Sequence, residues 1–416
     1  MNVLVLGSGG REHSICLSLK KSKYLKNIWC FPGNAGTSEI CNQTKLKLIT
    51  FDQILNFCIT NLVDLVIPGS EEYLEDGIVD ILKLNNIKVL GPTRAAAKLE
   101  SSKIFTKNIS RLSNIRTAKS IIYNNVNEAI LKIKKQKFPL VLKLDNLAAG
   151  KGVIVAKSYL EAKSFLENIK KGNIGSTKSK ILQEEVLKGE EGSFFFMVDG
   201  KTAKYIGSAK DYKRVGNGNL GPNTGGMGCI SPSPLESKKV INIILNEIIK
   251  PTLNTMFNLG YPYRGVLYAG LMFTKKGIFL IEYNVRFGDP ECQAILNRLE
   301  TDFLKICLNS EKQTLDKVNI KLSKEKSVCL VVASEGYPEK YKKGYEIMGL
   351  NKKLFLKSEI IHAGTINKKN KIYTNGGRVL NILAKNKNLK KALEQVYSRV
   401  KYISWKGSFY RTDIGK

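Results

Sequence analysis

Glu282, Asn284 and Arg286 stand at alternate positions and interleave with Ile281, Tyr283 and Val285. A strand here packs one face and presents a carboxylate, an amide and a guanidinium on the other. Carboxylate plus amide oxygen suits a hard cation, Mg²⁺, with substrate phosphates completing its shell. Arg286 beside them can stabilise charge on a transferring phosphoryl group or an acyl phosphate. The plainer explanation, an exposed edge strand with a salt bridge, leaves the Glu-x-Asn-x-Arg order unexplained. Asp289 and Pro290 follow, reading as the N-cap and first residue of a helix.

Phosphate chemistry recurs at 138–156. Val141, Lys143 and Asp145 share one strand face, and a lysine in an otherwise apolar run is costly unless its ammonium meets an anion. The loop from Asn146 to Gly152 returns into a second apolar run. Gly150-Lys151-Gly152 does not complete a Walker loop, because Asp145 holds the first glycine position and no serine or threonine follows the lysine. Strand–loop–strand suits a hairpin flap over phosphates; the alternative is a plain surface hairpin. Ile181 to Glu185 reads as a strand passing through Glu190 and Glu191 into another, Ser193 to Val198. Such an edge can offer backbone groups to a purine and an acid to a ribose. Gly216 to Gly228 carries six glycines in 13 residues after Asp211-Tyr212-Lys213-Arg214, which suits a mobile active-site loop at least as well as a linker.

Such side chains need rigid elements behind them, and the first hundred residues supply an alternating pattern. Val3 to Leu6, Asn27 to Phe31, Asp64 to Ile67 and Ile87 to Leu90 read as strands. Asp52 to Ile59 and Leu74 to Leu84 read as helices. That is an open, doubly wound parallel sheet with its ligand crevice beyond the strand carboxyl ends. The turn Gly7-Ser8-Gly9-Gly10 fails the dinucleotide pattern, since Glu12 fills the third glycine position and no strand-end acid follows about 20 residues later. It reads instead as backbone N–H groups collected at a helix N-terminus for an anion, against a bare tight turn. His13 reads as a structural residue of that first turn.

Composition narrows the classes. A chain of 416 residues holds two to four domains of about 100–150 residues. Its formal charge of +31 suggests a polyanionic partner, but 11 arginines against 56 lysines describe a compositional bias rather than a base-reading surface. No apolar run reaches the roughly 18 residues of a membrane span, and no signal peptide is visible. Eight cysteines without a CxxC pair read as buried thiols of a reducing compartment, and two histidines leave no histidine-rich zinc site.

The motifs, in this order, resemble the phosphoribosylamine–glycine ligase (glycinamide ribonucleotide synthetase) family of ATP-grasp carboxylate–amine ligases. The resemblance runs nearly end to end, through Gly7 to His13, Gly33 to Thr37, Gly91 to Lys107, Leu147 to Val155, Gly221 to Gly228 and Glu282 to Glu291. It continues through His362 to Thr365, Thr374 to Arg378 and Phe409 to Arg411. It implies an α/β and α+β multidomain fold: an N-terminal doubly wound domain (1–100), a two-lobed ATP-grasp region (101–325, with a lid lobe at about 118–188) and a small C-terminal α/β domain (326–416). ATP would lie between the lobes. Lys103 and Lys143 would touch its phosphates under a loop containing Gly150, Lys151 and Gly152. Glu184, Glu185, Val186 and Leu187 would hold adenine, and Glu191 the ribose. Glu282 and Asn284 would bind Mg²⁺ or Mn²⁺. Arg286, Lys143, Asp211 and Arg214 would carry the chemistry. Gly9, Gly10, Asn34, Gly36, Thr37, Glu71, Gly288, Asp289 and Arg378 would bind glycine and 5-phosphoribosylamine.

The same resemblance implies a cytoplasmic monomer of de novo purine synthesis, with no nucleic-acid or membrane partner. Tyr212, Asn217, Asn219 and Asn146 depart from the family pattern, as do Ser70 and Tyr73, and put loop behaviour in doubt more than the reaction class. The rivals are another ATP-grasp carboxylate–amine ligase and, from a different class, a basic nucleic-acid-binding protein.

Overall fold

The computed structural model describes residues 1–42, 50–147, 152–176, 178–350 and 357–416. It is a mixed α/β, multidomain structure. Four parallel strands open the chain, in the spatial order Asn27–Pro32, Asn2–Gly7, Leu65–Pro68, Lys88–Val89. Val3 to Leu6 and Leu65 to Ile67 are buried on both faces, as the continuous apolar runs of a parallel sheet require. The single helix expected over 74–84 is instead two, Glu71–Glu75 and Ile78–Leu84. Gly77 sits between them at φ +89°, a left-handed conformation that ends a helix and costs only glycine nothing.

A second unit is an antiparallel sheet in the order Ser120–Tyr123, Ile181–Glu185, Leu140–Leu144, Val153–Ala156. Helices Val126–Ile133 and Tyr159–Lys170 cover one face through Ala129, Ile133, Ala162 and Leu166. The hairpin read from 138–156 has Leu140 opposite Ala156 and Lys143 opposite Val153.

The largest sheet has nine strands and begins at the edge strand Gly277–Asn284. It continues through Arg264–Thr274, Glu190–Asp199, Ala203–Asp211 and Gly228–Ser231 into Lys326–Ser334, Arg378–Asn386 and Ser358–His362, with Ser408–Phe409 beside Lys326–Ser334. Its ladder crosses residue 326 without a break: Cys229 pairs with Cys329. Phe194, Phe195 and Phe196 are fully buried because both faces of this sheet are covered. The eight cysteines form no disulfide.

The glycine-rich segment folds into a hairpin, Arg214–Gly216 against Leu220–Asn223. C-terminal residues clamp it. The Arg411 guanidinium donates to the Arg214 carbonyl at 2.9 Å and to Asn219 Oδ1 at 3.1 Å. Asn217 exchanges two hydrogen bonds with Thr412, and the Tyr212 hydroxyl accepts from Gly415 N at 2.9 Å. Three of the family departures therefore sit in one interface. His13 and His362, remote in sequence, also meet: His13 Nδ1 accepts from His362 N at 2.9 Å. Burial pushes their pKa values down to about 3 and about 4, so both are neutral packing residues.

Candidate active site

A cleft of about 1120 Å³ lies where the N-terminal sheet, the four-stranded lid and the edge of the large sheet meet C-terminal loops. The strand Gly277–Asn284 forms one wall. Its buried Tyr283 shares a hydrogen bond with Thr252 in the core at 2.6 Å, which turns Glu282 and Asn284 to the opposite side. Neither of those side chains makes a hydrogen bond with another described residue. Burial alone would raise the Glu282 carboxyl, but the charges of Lys213, Lys143, Lys103 and Arg286 hold it below its ordinary value. The described residues contain no group of three or more His, Cys, Asp or Glu placed to hold a metal. Two unspent oxygen donors on an open wall, ringed by cations, instead fit an Mg²⁺ that takes its remaining ligands from phosphates and water.

The opposing wall carries the lysines. The hairpin's Asp145 accepts from Ile104 N and the Ser102 hydroxyl, fastening the hairpin to the start of helix Lys103–Leu112. Lys103 Nζ reaches Asn146 O at 3.1 Å. The buried Lys143 ammonium lies 2.7 Å from Glu184 Oε2, so the anion this strand lysine demanded is partly internal. Gly152 lines the cleft, whereas Gly150 and Lys151 lie outside the described residues.

Arg286 is braced from two sides. Its Nε donates to Glu71 Oε2 at 3.0 Å and its Nη2 to Glu100 Oε1 at 2.8 Å. Glu71, half-buried, is drawn down to about 2 by Arg286 and Arg11; burial pushes Glu100 up to about 7 despite Arg286. Asp211 and Lys213 also line the cleft. Burial and the nearby Glu291 charge push the Asp211 carboxyl well up, and its Oδ1 has no hydrogen-bond partner among the described residues.

Several expected residues take other work. Asp289 is not the cap of its own helix: Pro290 occupies that position and the helix begins at Glu291. Its carboxylate accepts from Arg11 N at 3.2 Å and Gln293 Nε2 at 2.9 Å, and faces Arg378 at 3.5 Å. Glu12 accepts from Gly9 N at 2.6 Å. At this helix start two internal carboxylates take the N–H groups of Gly9 and Arg11, while Gly7, Ser8 and Gly9 line the cleft. Gly10 is packed so tightly that a Cβ would come within 2.3 Å of Asn381 Nδ2. Asn34 and Thr37 cap the helix Ala35–Ile40, and Gly36 packs on His13. These four support the turn and do not line the cleft, while Gly9, Glu71, Gly288, Asp289 and Arg378 do. Arg214 donates across its own hairpin to Gly221 O at 2.8 Å and is likewise not in the lining. Glu185 accepts from Lys119 N, Glu191 pairs with Lys213 at 3.0 Å, and Val186 and Leu187 lie on the segment leading out of the lid.

The cleft also contains Lys107, Glu100, Lys213, Tyr268 and Glu291, which the residue patterns did not single out for chemistry. Lys107 had a signal, standing four residues after Lys103 on one helix face.

Family models match three consecutive parts of the chain: the N domain of phosphoribosylglycinamide synthetase at 1–100, its ATP-grasp (A) domain at 101–292 and its C domain at 327–416. A phosphoribosylamine–glycine ligase of Brucella melitensis is 41% identical over 416 residues, covering 100% of this chain and 97% of that protein. One from Caldanaerobacter subterraneus is 41% identical over 415 residues, covering 100% and 99%. The crystal structure of phosphoribosylamine–glycine ligase from Thermotoga maritima superposes with a TM-score of 0.86 at 31% identity, over 100% of both chains. The biotin carboxylase domain of Hydrogenobacter thermophilus 2-oxoglutarate carboxylase, solved with MgADP, shares the fold at a TM-score of 0.75 and 14% identity, covering 98% of this chain and 91% of that one.

Proposed function

The chain belongs to the phosphoribosylglycinamide synthetase family, and from that premise we propose that its cleft joins glycine to 5-phospho-D-ribosylamine with cleavage of ATP. The products are N1-(5-phosphoribosyl)glycinamide, ADP and phosphate, a step of purine biosynthesis. The observation that carries the reading is the uncommitted Glu282–Asn284 pair facing a cleft ringed by Lys103, Lys143, Lys213 and Arg286.

In this reading Lys143 and Lys103 hold the ATP phosphates, with Gly152 at the base of the covering loop. The backbone of Glu185 to Leu187 meets adenine and Glu191 the ribose. Glu282 and Asn284 hold Mg²⁺, which when bound neutralises charge on the phosphate oxygens. A glycine carboxylate oxygen attacks the γ-phosphorus and ADP leaves, giving glycyl phosphate. The amine of phosphoribosylamine then attacks the glycyl carbonyl carbon, loses a proton and expels phosphate. Arg286, fixed by Glu71 and Glu100, offers preorganised positive charge to both steps. Asp211, Gly288, Asp289 and Arg378 line the same cleft and would receive the second substrate beside the acyl phosphate. An acyl phosphate must be kept from water, and the hairpin and the glycine-rich segment flank the cleft on that account.

This reading carries a cytoplasmic location and a monomer as the working unit. No helix among the described residues is long and apolar enough to cross a membrane. The test is ADP release measured with each substrate omitted in turn. Turnover is expected only with ATP, glycine and phosphoribosylamine together. Turnover that ignores glycine in favour of another acid identifies a different ATP-grasp ligase and defeats the reading.

A further inference from the structure

The lid joins the body through two chain segments that lie side by side: Lys119 N donates to Glu185 Oε1, and Glu185 N donates to Lys119 O. Lys107, on the body helix Lys103–Leu112, binds both. Its ammonium donates to Thr117 Oγ1 at 2.7 Å and to Ala118 O at 2.8 Å, and it forms an ion pair with Glu184 Oε1 at 2.5 Å. Two hydrogen bonds and this ion pair commit the Lys107 ammonium to the junction between lid and body. Lys143 differs. It faces the other oxygen of Glu184 at 2.7 Å and a distant Ile281 O at 3.4 Å, and keeps donor capacity toward the cleft. Glu184 Oε1 has no aligned hydrogen bond, leaving Lys107 as its charge partner.

We propose that Lys107, anchored on residues 117–118, is a positioning residue for the ATP phosphates that acts through Glu184 on Lys143. The inference rests on the ATP-site reading above and assigns this lysine a part that does not touch the nucleotide. The charge arithmetic supports it. Lys143 with Glu184 alone is a neutral pair that holds its ammonium back from phosphate. A second lysine on the same carboxylate leaves the triad at +1 and leaves Lys143 able to serve an anion. Both lysines and the carboxylate are at most one-tenth exposed, so this difference is little screened by solvent.

The test compares Lys107→Met, Lys107→Arg and Glu184→Gln in the full chain, by ADP release and by calorimetric binding of MgADP. Lys107→Met is expected to raise the KM for ATP and weaken ADP binding by about tenfold, the worth of one buried charged partner, with the KM for glycine within about twofold. Lys107→Arg restores ATP KM to within about threefold of the parent, because charge and reach are kept. In a double-mutant cycle, Lys107→Met has less than about twofold further effect once Glu184→Gln is present. Unchanged ATP KM in Lys107→Met overturns the proposal, as does a loss spread equally over both substrates with no rescue by arginine. If Lys107→Met does not fold, an unchanged ATP KM in Glu184→Gln overturns it, since Lys107 then has no carboxylate through which to act. Nucleotide binding is read without glycine. A parent enzyme that binds ADP but shows no glycine-dependent turnover refutes the functional reading and leaves this comparison standing.

Discussion

Replacing Glu282 and Asn284 together by alanine lowers kcat by at least about a thousandfold while the protein stays folded. The magnitude follows from losing several kcal/mol of charge stabilisation on the transferring phosphoryl group, at about 1.4 kcal/mol per factor of ten. The fold survives because neither side chain is hydrogen-bonded to another described residue, and both face the cleft. Glu282 does sit among Lys213, Lys143, Lys103 and Arg286, so its removal leaves these cations closer to mutual repulsion. A loss on the order of 1 kcal/mol, about a degree in melting temperature, is expected. Activity and circular dichroism of the double variant check this together. Near-parental turnover removes the metal assignment.

Arg286→Ala has the second largest effect, and it falls on activity and stability at once. Its kcat drops by about 10²–10³, as when one preorganised charge is taken from a transition state. It also strands Glu71 and Glu100, and breaking a buried pair from one side costs about 3–5 kcal/mol. The two consequences separate by pH. With the guanidinium gone, both carboxyls are expected to rise above the ordinary glutamate value of about 4.3. A carboxyl raised in the folded state stabilises below its unfolded pKa, and that stability is lost as pH climbs. Glu100 already stands at about 7 with Arg286 present. Denaturant unfolding is therefore expected to show a larger deficit at pH 8 than at pH 5. A deficit equal at both values contradicts the arrangement of the two acids around Arg286.

Local period made the reacting face legible. In a strand, alternate residues share a side, so Glu282 and Asn284 could be grouped from their spacing, and Lys143 stood out as a cation in an apolar run; the strand ends at Asn284, and Arg286 lines the cleft from the bend beyond it. The alternating strands and helices of the first hundred residues were legible for the same reason. What spacing could not reveal were the partners that come from far away. Asp289 looked like a cap for the helix beside it, but its carboxylate reaches Arg11, 278 residues earlier. Glu100 meets Arg286 across 186 positions, and nothing near Glu100 announces that. Asn34 and Gly36 carried the family pattern for a substrate loop, yet the Asn34 side chain caps a helix and the Gly36 backbone packs closely on His13. A short polar or small residue does both jobs, and only the packed structure tells them apart. The net charge of +31 belongs to the same lesson. Among the described residues Lys103, Lys107, Lys143, Lys213, Arg11, Arg286 and Arg378 line the cleft, and no other described lysine does.

The central claim is that a glycine oxygen attacks the γ-phosphorus of ATP before the amine arrives. Glycine labelled with ¹⁸O in both carboxylate oxygens tests this most directly, with the phosphate and the amide product analysed by mass spectrometry. One labelled oxygen is expected in each phosphate released and the other in the amide carbonyl. Phosphate released without label, while glycinamide ribonucleotide forms, contradicts the acyl phosphate route.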